Sequence, residues 1–239
     1  VDCEFRMIPD QLAQAIQKDV AGGKRPCCVV PTVGTTSTTS IDAVRPAVEI
    51  ANRYGAWVHV DAAYGGCAAI VPELQHILDG AGGADSLVVN PHKWMFTPID
   101  LSILFTNRPG TLRQAFSLVP EYLRTAEDDR AVNLMDYGVP LGRRFRALKL
   151  WFVLRYFGRS GVIDLIRSHI GYAQDFAARV AADERFELAA PISLSLVCFR
   201  YRGSDEQNRI LLDRINATGT AFLSHTVLHG KFVLRLAYG

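Results

Sequence analysis

Val88-Val89-Asn90-Pro91-His92-Lys93-Trp94, VVNPHKW, runs two β-branched residues straight into a lysine with a histidine on one side and a tryptophan on the other. The apolar run Ser86 to Val89 reads as a short buried strand. Lysine is among the side chains most costly to bury, so its place at such a strand end calls for a reason.

Working outward, helical and extended periodicities alternate. Leu12, Ala15, Ile16 and Val20 recur at helical spacing over residues 10–20, and Gly22-Gly23 stops them. Ile41, Val44, Val48 and Ala51 repeat the pattern up to Gly55, and a short helix is predicted over 72–78. Between them lie short apolar runs at 27–30, 56–60, 86–89 and 101–105. Strands separated by helices imply βαβ units and a mostly parallel α/β sheet covered on both faces. A long helix from about Gly142 to Phe157, with Phe145, Leu148, Phe152 and Tyr156 on one face, is expected to bridge two domains. Beyond it the chain reads as a small α/β domain: helix, strand at 193–201, helix at 206–217, then a hairpin turning at His229-Gly230. Residues 1–7 read as the end of a strand and 231–239 as an extended run still in progress, so both ends are expected to be cut.

The 239 residues carry 26 Lys and Arg against 24 Asp and Glu, a formal charge of +2, which gives no global argument for nucleic acid or an anionic membrane. No uncharged apolar stretch approaches the ~20 residues that span a bilayer, and the first residues do not resemble a signal peptide, so the expected location is cytoplasmic. Five cysteines with no CxxC pair argue against a disulfide framework and a zinc knuckle; most are expected to be reduced core fillers. His59, Asp61, His76, His92 and Cys67 match no known zinc spacing, so no metal is expected. The arginines of 143–159 alternate with Phe145, Trp151 and Phe152 at helical spacing and read as a solvated helix face. Neither GTTSTTS (34–40), which lacks the Gly-Lys-Ser/Thr ending of a P-loop, nor Gly80-Ala81-Gly82-Gly83 is a nucleotide signal.

Ligands of a parallel sheet sit at the carboxyl ends of its strands. Three such ends carry unusual residues here: PTVGTTSTTS after 27–30, Asp61-Ala62-Ala63-Tyr64-Gly65-Gly66 after 56–60, and Asn90-Pro91-His92-Lys93 after 86–89. Asp61 and Lys93 admit two readings. One is an ion pair tying the sheet rim together. The other is pyridoxal phosphate, whose aldehyde takes a lysine as a Schiff base and whose ring nitrogen takes a carboxylate to stay protonated. A carboxylate at ~4 Å is worth about 4 kcal/mol at an effective dielectric of ~20, or about three pKa units at the nitrogen. Ala62, Ala63, Gly65 and Gly66 leave room for a flat ring against the backbone.

Four ordered motifs, VVPTVGTTSTTSID, WVHVDAAYGG, VVNPHKW and PLGRRFRALKLWFVLRYFG, together resemble the group II pyridoxal-phosphate-dependent decarboxylases, most closely the aromatic-L-amino-acid decarboxylases. The resemblance covers essentially the whole chain and implies fold type I of the pyridoxal-phosphate enzymes. It makes residues 1–141 the C-terminal part of the large cofactor-binding domain, 142–163 an interdomain helix and 164–239 a truncated small domain. Lys93 matches the Schiff-base lysine, Asp61 the carboxylate on the pyridine nitrogen and Ala63 the small residue on one ring face. Asn90 and His92 match groups near the cofactor phosphate, and Thr32 a threonine beside the cofactor. Tyr122 matches a tyrosine on a mobile loop that reaches the active site across a homodimer interface and, directly or through a neighbour, serves as the acid of the reaction. On this reading Lys93 is buried because the Schiff base replaces its charge with a bond.

The implied reaction is decarboxylation of an aromatic L-amino acid to its amine. Aromatic acetaldehyde synthesis is the close alternative, disfavoured because members with that activity tend to have phenylalanine where Tyr122 stands. A truncated, inactive pairing partner is the other. Family members are about twice this length, and their Ser/Gly-rich phosphate segment and ring-stacking histidine are absent from this sequence. Substrate identity stays open among tryptophan, tyrosine, dopa, phenylalanine and histidine; Gly142 lies near where the family tunes its pocket.

Overall fold

The computed structural model describes residues 1–117 and 132–239. Its first sheet has the order β1 (Cys28–Val29), β2 (Trp57–Asp61), β3 (Ser86–Val89) and β4 (Ile103–Thr106). The first three strands are parallel, with Val60 opposite Leu87 and Asp61 opposite Val88, and β4 is antiparallel to β3. This is the α/β arrangement expected from the alternating periodicities. Helices α1 (Pro9–Ala21) and α2 (Val44–Arg53) flank it, and α2 turns Val44, Ala47, Val48, Ile50 and Ala51 into the core. The fully buried Val58 and Val60 of β2 alternate with half-exposed Trp57, His59 and Asp61. The segment 72–78 forms as a 3₁₀ helix.

Short α3 (Pro91–Trp94) follows β3, and α4 (Pro109–Phe116) follows β4. Element α5 (Ala147–Ala182) is two helices that meet at Gly158, whose φ of 66° and ψ of 173° are not helical. The first ends at Phe157, where the sequence placed the end of the long helix, but starts at Ala147 rather than near Gly142. The second helix joins two cores: Val162, Ile163 and Ile166 pack with the first sheet, and Ala173, Ala177 and Val180 with the second.

The second sheet is wholly antiparallel, in the order β5 (Phe186–Leu188), β6 (Leu196–Tyr201), β8 (Lys231–Ala237) and β7 (Ser224–Leu228). Helix α6 (Asp205–Ala217) covers it, opened by a capping box between Ser204 and Gln207. The β7–β8 hairpin turns at His229-Gly230 as read from sequence, both residues with positive φ.

Three expectations are corrected. Residues 1–7 form a turn, closed by the Asp2 carboxylate accepting from the backbone of Glu4 and Arg6, and are not the end of a strand. Only Cys67 and Cys198 are buried, while Cys3, Cys27 and Cys28 are exposed, so core filling accounts for two of the five thiols. Finally, β3 is half-covered: Ser86 is buried, but Leu87, Val88 and Val89 are intermediate, because the β3–β4 edge carries the exposed Leu104 and Phe105.

Candidate active site

Parallel pairing sets the site's frame. The amide of Asp61 donates to Pro31 O at 3.0 Å, and Val33 N donates to Asp61 O at 2.8 Å, which brings Thr32 beside Asp61 in a parallel bridge. On its other side Asp61 lies opposite Val88, so the chain leaving β3 reaches Lys93 along the same sheet edge. Gly65 and Gly66 allow this closeness. A Cβ at Gly65 would stand 2.7 Å from Val33 O, and one at Gly66 would stand 2.7 Å from a Val89 methyl.

Thr32, Asp61, Ala63 and Lys93 converge on one cavity of about 200 Å³. A larger hollow of about 750 Å³ lies elsewhere, lined by Arg6, Asp42, Arg45 and Asp79, and contains none of the sequence-predicted site residues. The smaller cavity is the candidate site because it collects the lysine and the strand-end carboxylate.

One oxygen of Asp61 accepts from Ala63 N at 3.1 Å, which aims the carboxylate; among the described residues the other oxygen accepts nothing. The Lys93 ammonium makes no hydrogen bond or ion pair with any described residue, so the rim ion pair of the first reading does not form. Lys93 is also exposed, a correction to the expectation that it is buried. It sits on the short α3 past the strand rather than on the strand itself, between buried Pro91 and Trp94, with its side chain in the open cavity.

Asn90 and His92 do not line this cavity. Asn90 Oδ1 accepts from Ser102 Oγ at 2.6 Å and His92 Nδ1 accepts from Leu101 N at 3.0 Å, so both brace the link from α3 to β4. Their remaining donors, Asn90 Nδ2 and His92 Nε2 in its neutral tautomer, have no partner among the described residues. Tyr122 lies outside the described residues.

Several lining residues were not read from sequence. Arg235 on β8 reaches the cavity and ties down its hydroxyl-rich wall: Nε donates to Ser37 O at 3.0 Å, one terminal nitrogen to Ser224 Oγ at 2.8 Å, and the other to Thr36 O. A lone arginine inside the apolar run KFVLRLA was the available signal. Tyr64 also lines the cavity; its hydroxyl meets Ser195 Oγ at 2.5 Å, and Ser195 donates to Tyr238 O at 2.6 Å, so Tyr64 is the donor of the pair. Burial pushes the Tyr64 hydroxyl up and the Cys67 thiol to about 12, so neither ionises near neutral pH.

The donor set suits a flat aldehyde cofactor with a basic ring nitrogen. It offers an amine and a carboxylate oxygen that have no partner among the described residues, threonine hydroxyls, and an alanine where a larger side chain would meet a ring.

A lysine and an aspartate delivered by adjacent parallel strands define the fold type I pyridoxal-phosphate enzymes. Within that class the chain belongs to the pyridoxal-dependent decarboxylase family, whose conserved-domain model matches residues 1–202. It is 44% identical to tryptophan decarboxylase TDC2 of Camptotheca acuminata, over 98% of this chain and 49% of that protein. Against phenylacetaldehyde synthase of Petunia hybrida the identity is 43%, over 99% of this chain and 50% of the relative. Among solved structures, Oryza sativa TDC with PLP and tryptamine superposes with a TM-score of 0.94 at 41% identity, covering 98% of this chain and 51% of that one. The chain therefore spans about half the length of the relatives it matches.

Proposed function

We propose that the whole protein containing this chain is a pyridoxal-phosphate-dependent decarboxylase that converts an aromatic L-amino acid to the corresponding amine and carbon dioxide. The observation that carries the reading is that Lys93, without a partner among the described residues, shares a cavity with an Asp61 carboxylate of which one oxygen accepts from none of them. Pyridoxal phosphate, when bound, supplies an aldehyde for the amino group and an electron-withdrawing ring for the electrons left by carbon dioxide.

Each residue's part follows from its position. Lys93 holds the cofactor through its amine and is available to take it back at the end of a turnover. Asp61, aimed by Ala63 N, keeps a proton on the ring nitrogen. Ala63 and Thr32, which line the cavity, would border the ring, and Arg235 fixes the Thr35–Ser37 wall. Tyr122 is proposed as the acid that protonates the substrate's α-carbon, on its match to the family's loop tyrosine. The free donors of Asn90 and His92 are proposed to face the cofactor phosphate.

Decarboxylases and phenylacetaldehyde synthases resemble this chain about equally, so product analysis in aerated buffer is the direct discriminator. Amine with carbon dioxide supports the reading; aldehyde with ammonia and peroxide overturns it in favour of the synthase. The exposed Leu104, Phe105, Trp151 and Phe152 support a further proposal, that the working form is a homodimer with the site near its interface. A cytoplasmic location is proposed from composition; among the described residues no helix is long and apolar enough to cross a membrane.

Borohydride reduction of the cofactor-loaded protein followed by peptide mapping tests the lysine assignment. The label is expected on Lys93. Its appearance on Lys24, Lys149 or Lys231 would overturn the reading.

A further inference from the structure

Among the described residues Lys93 has no side-chain partner, so the direction in which its amine enters the cavity depends on the backbone that carries it. That backbone is the four-residue α3, too short to be stable alone, and its anchor is the next residue, Trp94, which is 1% exposed. The indole is fixed in two directions. Its face stacks on Tyr64 at 4.9 Å and 7°, and its Nε1–H donates to His169 Nδ1 at 3.1 Å. Tyr64 is itself held through Ser195 and follows Asp61 by three residues, so the stack ties the lysine-bearing and aspartate-bearing segments together. His169 stands on α5, edge-on to Phe96 at 5.5 Å, and so grips both ends of the segment that follows Lys93.

We propose that His169 is a positioning residue for Lys93, acting through the indole of Trp94. The proposal rests on the reading that Lys93 carries the cofactor. Tryptophan can only donate, so His169 must present a bare Nδ1 and keep its proton on Nε2. Replacing the acceptor leaves a buried N–H unpaired, and the indole must turn to find water, taking α3 and the origin of Lys93 with it. Protonation of His169 does the same, because the imidazolium sets a donor against a donor. The aromatic groups facing it are Trp94 and Phe96 from the α3 segment and the titratable Tyr172 from its own helix at 6.4 Å; Tyr238 lies beyond, 5.8 Å from Tyr172. Among the described residues no charged side chain displaces its titration. Burial alone lowers it, keeping the neutral form in place into mildly acidic solution.

The test uses the intact protein with 5-fluorotryptophan, the Trp94 fluorine resonance being assigned by its loss in Trp94→Phe. Without cofactor, this resonance is expected to titrate once, below the ordinary imidazole range. In His169→Phe it should sit at a new position and not titrate. His169→Gln, whose amide oxygen can accept, should return it near the native position, again without titration. In parallel, the rate at which pyridoxal phosphate becomes borohydride-trapped on Lys93 at neutral pH should fall about five-fold in His169→Phe, the net worth of one neutral hydrogen bond, and recover in His169→Gln. If His169→Phe does not fold, the glutamine variant decides alone. A Trp94 resonance that still titrates in either variant, or Lys93 trapping that is unchanged by phenylalanine or unrescued by glutamine, overturns the proposal. Trapping on another lysine in the wild-type protein instead defeats the functional reading, while the fluorine titration still reports on the Trp94–His169 bond.

Discussion

Alanine in place of Gly65 should separate the two strand ends that form the site. The new Cβ would stand 2.7 Å from Val33 O and 3.1 Å from both Val33 C and Val33 Cγ1, in a place where Val33 is fully buried. That carbonyl accepts the Gly65 N–H at 3.1 Å, and the adjoining Val33 N–H donates to Asp61 O, so the clash drives Thr32–Gly34 away from the end of β2. Overpacking of this kind costs about 1–3 kcal/mol, and straining the bond to Val33 O adds about 1 kcal/mol. A loss of about 2–4 kcal/mol corresponds to a fall of roughly 5–15 °C in melting temperature for a chain of this size. Affinity for pyridoxal phosphate should weaken with it, because Thr32 and Asp61 no longer keep their spacing. Thermal melts and cofactor titration of Gly65→Ala measure both. Gly171→Ala is the control: its Cβ meets nothing within 4 Å on α5, and the exchange should stabilise by about 0.5–1 kcal/mol. A Gly65→Ala protein that melts with the wild type and binds cofactor equally well would refute the packing argument.

Asp61→Asn keeps the shape of the carboxylate and removes its charge, so cofactor should still bind while turnover falls by about three orders of magnitude; near-normal turnover would remove Asp61 from the ring nitrogen. The ion pair between Arg167 on α5 and Glu73, bonded at 2.6 and 2.8 Å, holds the Glu73 carboxyl at about 2 against an ordinary 4.5. A depressed carboxylate stabilises above its unfolded value and loses that contribution as pH falls through its folded one. Glu73→Gln should therefore lower the melting temperature at pH 6 but converge with the wild type between pH 4.5 and about 2. Equal melting curves at pH 6 would show that this exposed pair contributes nothing, and addition of salt should narrow any difference.

The parts of the fold legible in sequence are those written in local runs. The strand over 86–89 was placed to the residue, and β2 within one, because each is a short apolar run bounded by a turn signal. Strand β5 was missed, since Phe186-Glu187-Leu188 lies among charged residues and owes its pairing to β6 rather than to its own pattern. The end of the first α5 helix at Phe157 was legible too, because Gly158 takes a positive φ that a helix does not hold. Asp61 and Lys93 were legible because a parallel sheet displays its chemistry at strand ends. The exposure of Lys93 was not, because how far the rest of the fold covers the cavity it lines is a tertiary fact.

Arg235 shows why the rest of the site was hidden. The cavity closes only where the antiparallel sheet meets the hydroxyl-rich segment after β1, and that meeting is concentrated on Ser37. Its carbonyl accepts from Arg235 Nε at 3.0 Å and from Cys198 Sγ at 3.2 Å, and its hydroxyl accepts from Thr226 at 3.2 Å. Strands β6, β7 and β8 thus each send a side chain to one residue of a loop that in sequence resembled an incomplete phosphate cradle. The threonines and serines of that loop are spent largely on its own closure, with Thr35 to Thr38, Thr38 to Ser40 and Ser40 to Glu4 O in succession. The loop therefore forms a wall rather than a cradle, and the second sheet holds that wall against the lysine and the aspartate.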